Sequence, residues 1–303
     1  MKHIRIITKN HTNPAYGGAL VGARSVADRL GFTLDHRAPA VPDAVQQQTA
    51  LLDEAIADRP DAIVLLPAHA SGVNAAIARV NAAGIPLMLF VSEPTAGQWV
   101  GFVGSDDVRM AEDLAHAVLG RLPAQARIGI IDGHPGSITT PLRRRGFERA
   151  LAQYPGMRLV DAVSGYYQHD TGREAAQTLL ARHADLDGIL AANDLMAMGA
   201  LEAFSAAGRS LPMGSINGTP DAIAQVRAGR LVATASFNTH SFGCLVAEMA
   251  LRHLCGEAVP RRIVLPADII DSRNAAAWDQ PYEARRCPDW QRVTSVIADP
   301  APA

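Results

Sequence analysis

Only three cysteines occur in this 303-residue chain, and Cys244, Cys255 and Cys287 form no Cys-x-x-Cys pair. Cys244 and Cys255 fall on a segment that reads as one helix, where a rise of about 1.5 Å per residue separates them by about 16 Å. That is too far for a disulfide. The three therefore read as small buried hydrophobes, with at least one unpaired. Charge of one sign is also missing: the formal net charge is -2, which leaves no overall basic footprint for nucleic acid. The one basic cluster, Arg143-Arg144-Arg145, reads as a solvated helix face. No apolar run approaches the roughly 18 to 20 residues that a membrane span requires. The opening residues Met1 to Thr8 go straight into a strand pattern, without the apolar region and small-residue cleavage site of a secretory leader.

Catalytic signatures are lacking as well. There is no Gly-x-Ser-x-Gly, no Gly-x-x-x-x-Gly-Lys-Ser/Thr phosphate loop and no His-Glu-x-x-His. The ten histidines are scattered without metal-ligand spacing, so neither a metal nor a cofactor is expected. Gly17-Gly18 and Gly133-His134-Pro135-Gly136 lack the spacing that lets backbone approach a pyrophosphate. An enzyme moving a proton with Asp132 or Glu93 is the minor catalytic alternative.

What the chain does have is alternation. Strands are expected at 4–8, 33–36, 62–66, 87–90, 127–131, 158–163, 188–191, 213–216 and 232–236. Most are continuous apolar runs, the pattern of parallel sheet covered on both faces by helices. Stretches such as 18–30, 45–57 and 173–182 carry apolar residues at helical spacing. Repeated units of this kind imply open, doubly wound α/β sheets. Residues 51–68 and 179–194 echo one another: a helix, a break, an aspartate, then a buried strand. The echo suggests two lobes of one design, with a boundary near Gly104-Ser105-Asp106.

In such sheets ligands bind beyond the carboxyl ends of the strands. The residues there are Lys9 to Tyr16, Pro67-Ala68-His69, Ser92 and Glu93 in the first half. The second half offers Asp132-Gly133-His134, Tyr166-Tyr167-Gln168, Asn193-Asp194, Asn217-Gly218 and Phe237-Asn238. Amides and aromatics suit a sugar, whose hydroxyl pairs take bidentate bonds while its C–H faces stack on rings. Each also has a plainer reading: Asn13 before Pro14 and Asn193 before Asp194 are good helix caps, and Asn217-Gly218 is a good turn.

The segments Ala192-Asn193-Asp194-Leu195-Met196-Ala197-Met198-Gly199-Ala200-Leu201, Asn217-Gly218-Thr219-Pro220-Asp221, 227–234 and Thr12-Asn13-Pro14-Ala15-Tyr16 carry a family likeness. Over residues 3 to 275 the chain resembles the type I periplasmic binding proteins of the ribose/galactose class, the substrate-binding components of sugar ABC importers. The lactose-repressor family shares their ligand-binding core. The resemblance implies two doubly wound parallel-sheet lobes joined by three hinge crossovers, near Gly104-Ser105, Phe237-Asn238 and Leu265-Pro266. The lobes would be 1–104 plus 239–265 and 105–238 plus 266–278, with 279–303 a tail forming a surface strap or a loose end.

The resemblance also implies that the protein captures a sugar or polyol between the closing lobes and then docks on a membrane permease, as a non-enzymatic monomer in the periplasm. Asn13 and Tyr16 match ligand-facing positions of the first lobe. Arg143 matches an arginine that grips sugar hydroxyls, Tyr167 an aromatic that stacks on the ring, Asn193 a hydroxyl-binding amide, and Asn217 a position where aspartate is usual. Departures from the ribose pattern are Val91-Ser92-Glu93 in place of an Asp-Arg pair, and Phe237-Asn238 in place of a glutamine. They point to a ligand other than ribose. The alternatives are the ligand-sensing domain of a lactose-repressor-type regulator, for which Met1 to Ile4 leaves no room for a helix-turn-helix, and a sensory or chemotaxis receptor component.

Overall fold

A computed structural model describes residues 1–297. The chain divides into two compact units. One holds Met1–Ser105, Thr239–Leu265 and the described residues from Tyr282; the other holds Asp106–Asn238 and Pro266–Pro281. Besides the passages after Ser105, Asn238 and Leu265, the chain makes a fourth after Pro281, which a reading with three crossovers lacks.

The first unit contains β1 (His3–Ile7), α1 (Pro14–Leu30), β2 (Thr33–Arg37), α2 (Val45–Asp58), β3 (Ala62–Leu65), α3 (Asn74–Ala82), β4 (Leu87–Phe90) and β5 (Gly101–Gly104). The second begins with α4 (Asp107–Leu119), β6 (Arg127–Asp132), α5 (Thr139–Leu151), β7 (Arg158–Ser164), α6 (His169–Arg182) and β8 (Gly188–Ala191). It continues through α7 (Asp194–Ala206), β9 (Met213–Ile216), α8 (Pro220–Arg227) and β10 (Ala233–Ser236). The chain then adds α9 (Thr239–Leu254) and β11 (Arg262–Val264) to the first unit, β12 (Asp268–Asp271) and α10 (Ala275–Trp278) to the second. A 3-10 turn at Tyr282–Ala284 and α11 (Trp290–Ile297) complete the first.

Each unit is one six-stranded sheet. The orders are β11-β5-β4-β3-β1-β2 and β12-β10-β9-β8-β6-β7, so the two repeat one doubly wound topology. The echoing segments lead into β3 and β8, which occupy equivalent places in their sheets. Pairing is parallel throughout except at β12, which runs antiparallel to β10 and makes the second sheet mixed. Strands β3, β4, β8, β9 and β10 are buried along their whole length, which explains their continuous apolar runs.

Strands β5, β11 and β12 were not among the expected nine. β5 is two apolar residues between glycines, and the other two are three- and four-residue strands that begin with a charged residue. Pairing with a neighbour already in place creates them, not local propensity.

Buried polar groups fix the sheet ends. Gln48 shares the inward stripe of α2 with Leu52 and Ala55 and is fully buried. Its Nε2 donates to the carbonyls of Thr8 and Leu66 while its Oε1 accepts from Ala68 N at 2.8 Å. One amide thus satisfies the backbone just past β1 and β3. Helices α1 and α9 pack with unusually close backbones. A Cβ on Gly243 would stand 1.8 Å from the Ala19 carbonyl oxygen, and one on Gly22 would stand 2.1 Å from that of His240. Only glycine permits that approach.

The fold corrects the expectation for the cysteines and selects the strap over the loose end for the tail. Cys244 and Cys287 are not small buried hydrophobes but a disulfide with a Cα separation of 5.7 Å, leaving Cys255 exposed as a thiol. The partner of Cys244 lies 43 residues away, so helix spacing alone did not reveal it. The segment from Tyr282 is also no loose end, for the described part packs on the first unit. The Tyr282 ring lies where a Cβ on Gly18 would be, and Trp290 is buried with the Arg252 guanidinium 5.2 Å from its ring. Residues 298–303 of the expected tail lie outside the described residues. Reducing the disulfide is expected to lower stability by about 2–4 kcal/mol, since the bond closes a long loop in the unfolded chain. Urea unfolding with and without a dithiol measures it, and the Cys287→Ser variant should show the lower value under both conditions.

Candidate functional site

The strand order reverses beside β1 in the first sheet and beside β6 in the second, and polar side chains collect at those carboxyl ends. Backbone strain collects there too. Among the described residues seven non-glycine positions have positive φ, and five of them lie within three residues of a strand's carboxyl end: Val91, Tyr166, Tyr167, Asn217 and Asn238. For the β-branched Val91, at φ 66°, this is a real outlier, held by its N–H donating to the Val103 carbonyl. Strain of this kind persists where surrounding structure enforces it, and it clusters at ligand sites.

In the first unit, Asn13 caps α1, its Oδ1 accepting from Ala15 N at 3.0 Å, and Tyr16 is buried one turn on. His69 is half-buried, its Nδ1 accepting from the N–H groups of Ser71 and Gly72. Ser92 is buried in the strained turn after β4. Glu93 is ion-paired with Arg262, whose guanidinium also lies 4.6 Å from the Phe102 ring centre. Sequence reasoning placed Lys9 at this edge but passed over its buried partner, Asp43. Lys9 Nζ lies 3.6 Å from Asp43 Oδ1, both side chains almost fully buried, and Asn10 Nδ2 donates to the same oxygen at 3.3 Å. Asp43 carries no signal in the sequence, because the loop after β2 brings it there with φ 59°.

His36, on β2, contacts Thr8 Oγ1 through Nε2 at 2.8 Å. Burial first, then the neighbouring His11, Arg24 and Arg37, depress its pKa from 6.5 to about 4. A depressed histidine is neutral in the fold but protonated in the unfolded chain. Its contribution to stability is therefore lost as pH falls from about 6.5 to about 4 and changes little below that. With allowance for partial exposure the loss is about 1–2 kcal/mol. Urea unfolding at pH 7.5 and 4.5 should show a drop that is smaller in His36→Gln.

In the second unit the edge is more tightly built. Arg143 is not on a solvated face: it is buried, Arg144 is half-buried against Asp132, and Arg145 alone of the three is exposed. Arg143 Nε donates to Asp107 Oδ1 at 2.8 Å and its Nη1 to the Ala192 carbonyl at 2.6 Å. Its guanidinium lies 5.8 Å from the Tyr167 ring centre and 5.6 Å from that of Phe237, within cation–π range of both. The Tyr167 hydroxyl meets Thr139 Oγ1 at 2.8 Å and accepts from Thr140 Oγ1 at 3.0 Å. Gly133 makes room for that ring, since a Cβ there would stand 1.9 Å from it.

Asn193 caps α7 through Met196 N and donates to the Tyr167 carbonyl, so one amide ties the loop after β7 to the start of α7. Asn217 is buried after β9 at φ 144°, and Asn238, half-buried after β10, donates its N–H to Ser236 Oγ. Contacts thus join Arg143, Tyr167, Asn193 and Phe237 into one group. Asn217 and Asn238 lie on the same strand-end edge, after β9 and β10. Asp107 was missed, although the signal was present: it stands on the inward stripe of α4 with Met110, Ala111 and Leu114.

Asp132 and Glu93 are both engaged by arginines, and burial raises the Asp132 carboxyl while Arg144 opposes the shift.

The family model of the periplasmic binding protein domain matches residues 4–258. The chain belongs to that family. As a periplasmic binding protein it is 29% identical over 220 residues to the ribose import binding protein RbsB of Bacillus subtilis, covering 73% of this chain and 72% of that one. It is 31% identical over 208 residues to the D-apiose import binding protein of Paraburkholderia graminis, covering 68% and 66%. Its fold matches an ABC transporter solute binding protein from Mycobacterium smegmatis with bound glycerol (TM-score 0.86, 26% identity, 92% of this chain and 97% of that one). It also matches a periplasmic solute binding protein from Actinobacillus succinogenes with bound D-allose (TM-score 0.86, 22% identity, 91% and 100%). The second likeness is one of fold.

Proposed function

We propose that this periplasmic binding protein captures a sugar or sugar-like polyhydroxylated small molecule for an ABC importer, without transforming it. The observation that carries this reading is the Arg143 guanidinium, held rigid by Asp107 and the Ala192 carbonyl beside the rings of Tyr167 and Phe237. A fixed planar donor next to aromatic faces suits a ligand with paired hydroxyls and C–H surfaces. Asn13 and Tyr16 on the first edge, and Asn193, Asn217 and Asn238 on the second, are proposed as further contacts. His69, Ser92 and Glu93 complete the proposed first-edge set. Relatives that import ribose and D-apiose support the ligand class. An extracytoplasmic site of action agrees with the Cys244–Cys287 disulfide, because such bonds persist in oxidising compartments.

A thermal-shift screen against pentoses, hexoses, polyols and cyclitols tests the proposal. A ligand at about 100 times its Kd adds roughly 2.7 kcal/mol to the folded state. A hit that disappears in Arg143→Met supports it; an empty panel at millimolar concentration overturns the sugar reading.

A further inference from the structure

The C-terminal segment brings a third ligating side chain to a corner of the first unit that shares no residue with the sheet edge. His240 and Cys244 stand four residues apart on α9 and so face the same way. Cys287 arrives from the strap. The His240 ring nitrogen, Cys244 Sγ and Cys287 Sγ all lie within 4.8 Å of one another, with His240 and Cys244 buried. His240 Nδ1 is 3.8 Å from Cys244 Sγ, and Cys287 Sγ is 3.7 Å from the Gly22 carbonyl oxygen.

We propose that these three side chains form a redox-gated site for a single thiophilic divalent cation of the zinc class. Oxidation closes the site, as in the present structure, where the two sulfurs are bonded to each other. A dithiol opens it. The dithiol becomes a cyclic disulfide, and its two electrons and two protons pass to the Cys244–Cys287 bond, which breaks into two thiols. A cation then displaces both thiol protons to solvent and binds two thiolates and the neutral imidazole. This leaves a fourth, tetrahedral position for water.

The donors stay close after reduction because Cys287 is anchored on both sides. Tyr282 sits on Gly18 before it, and Trp290 is buried near Arg252 after it. The strap is thus fastened covalently in oxidising surroundings and by a cation in reducing ones.

Co2+ is the probe. Protein reduced with a dithiol, freed of reductant and kept anaerobic, is expected to bind one equivalent with a thiolate-to-cobalt charge-transfer band. About two protons should be released per ion, and Zn2+ should bleach the band. Cys255→Ser should behave as the parent, and oxidised protein should bind none. His240→Ala should weaken binding by at least the roughly 10- to 100-fold that outer-shell partners command. Should that variant unfold by circular dichroism, Cys287→Ser, which removes a half-buried ligand, must abolish the band on its own. The proposal is overturned by a reduced protein without the band, by a band that survives in Cys287→Ser, or by one that disappears in Cys255→Ser.

Discussion

Arg143→Met should weaken sugar binding by about 2–5 kcal/mol, or roughly 30- to 4,000-fold in Kd. It should also destabilise the protein by about 3–5 kcal/mol, because the Asp107 carboxylate is only 5% exposed and would lose its guanidinium partner. The two effects separate in the double variant Asp107→Asn, Arg143→Met. Removing the stranded charge should recover much of the stability and none of the binding. Calorimetric titration with a ligand found in the screen, alongside urea unfolding without ligand, measures both. If the double variant regains affinity, Arg143 acts on the fold and not on the ligand. Arg143→Lys should retain the charge but lose the planar fork, and so should fall between parent and Met.

Asp194→Ala should cost about 5 kcal/mol and leave little folded protein at 37 °C. Asp194 is fully buried, and its carboxylate gathers four hydrogen bonds. Oδ1 accepts from Ser215 Oγ at 2.5 Å and Thr234 Oγ1 at 2.8 Å; Oδ2 accepts from Thr219 N at 2.8 Å and Thr219 Oγ1 at 3.0 Å. These bonds pin β9, β10 and the start of α8 to the first turn of α7. Burial raises the carboxyl's pKa, and the four donors work against that shift. Asp194→Asn should be milder, at about 1–3 kcal/mol. Its amide oxygen can face Thr219 N, while the hydroxyls of Ser215 and Thr234 can turn to accept from its NH2. Equal losses for Ala and Asn in urea unfolding would show that the lost carboxylate acceptors, not packing, set the cost and that the hydroxyls do not turn to accept from the amide.

This network explains a motif that sequence reading valued for another reason. Asn193-Asp194 carried family likeness and was weighed as a ligand contact against a helix cap. In the fold Asn193 does cap α7, and it also holds the Tyr167 carbonyl, so a contact with ligand would be added to a structural duty. Asn13 is likewise a cap. Capping asparagines placed at strand ends are positioned by their own helices, which makes them precise donors at little entropic cost.

By itself the sequence determined the repeated α/β design, because apolar runs and helical stripes are local patterns set by burial on sheet faces and helix stripes. It determined most strand positions to within a residue or so, and it marked the polar and aromatic residues that follow them. Tertiary structure alone decided which polar residues are buried together. Asp107 with Arg143, Lys9 with Asp43, and Gln48 with the backbone beyond β1 and β3 each join residues from separate elements. It likewise decided the short strands β11 and β12, the antiparallel edge, and the bond between Cys244 and Cys287. Such pairings depend on distances between residues far apart in the chain, and local periodicity holds no record of them.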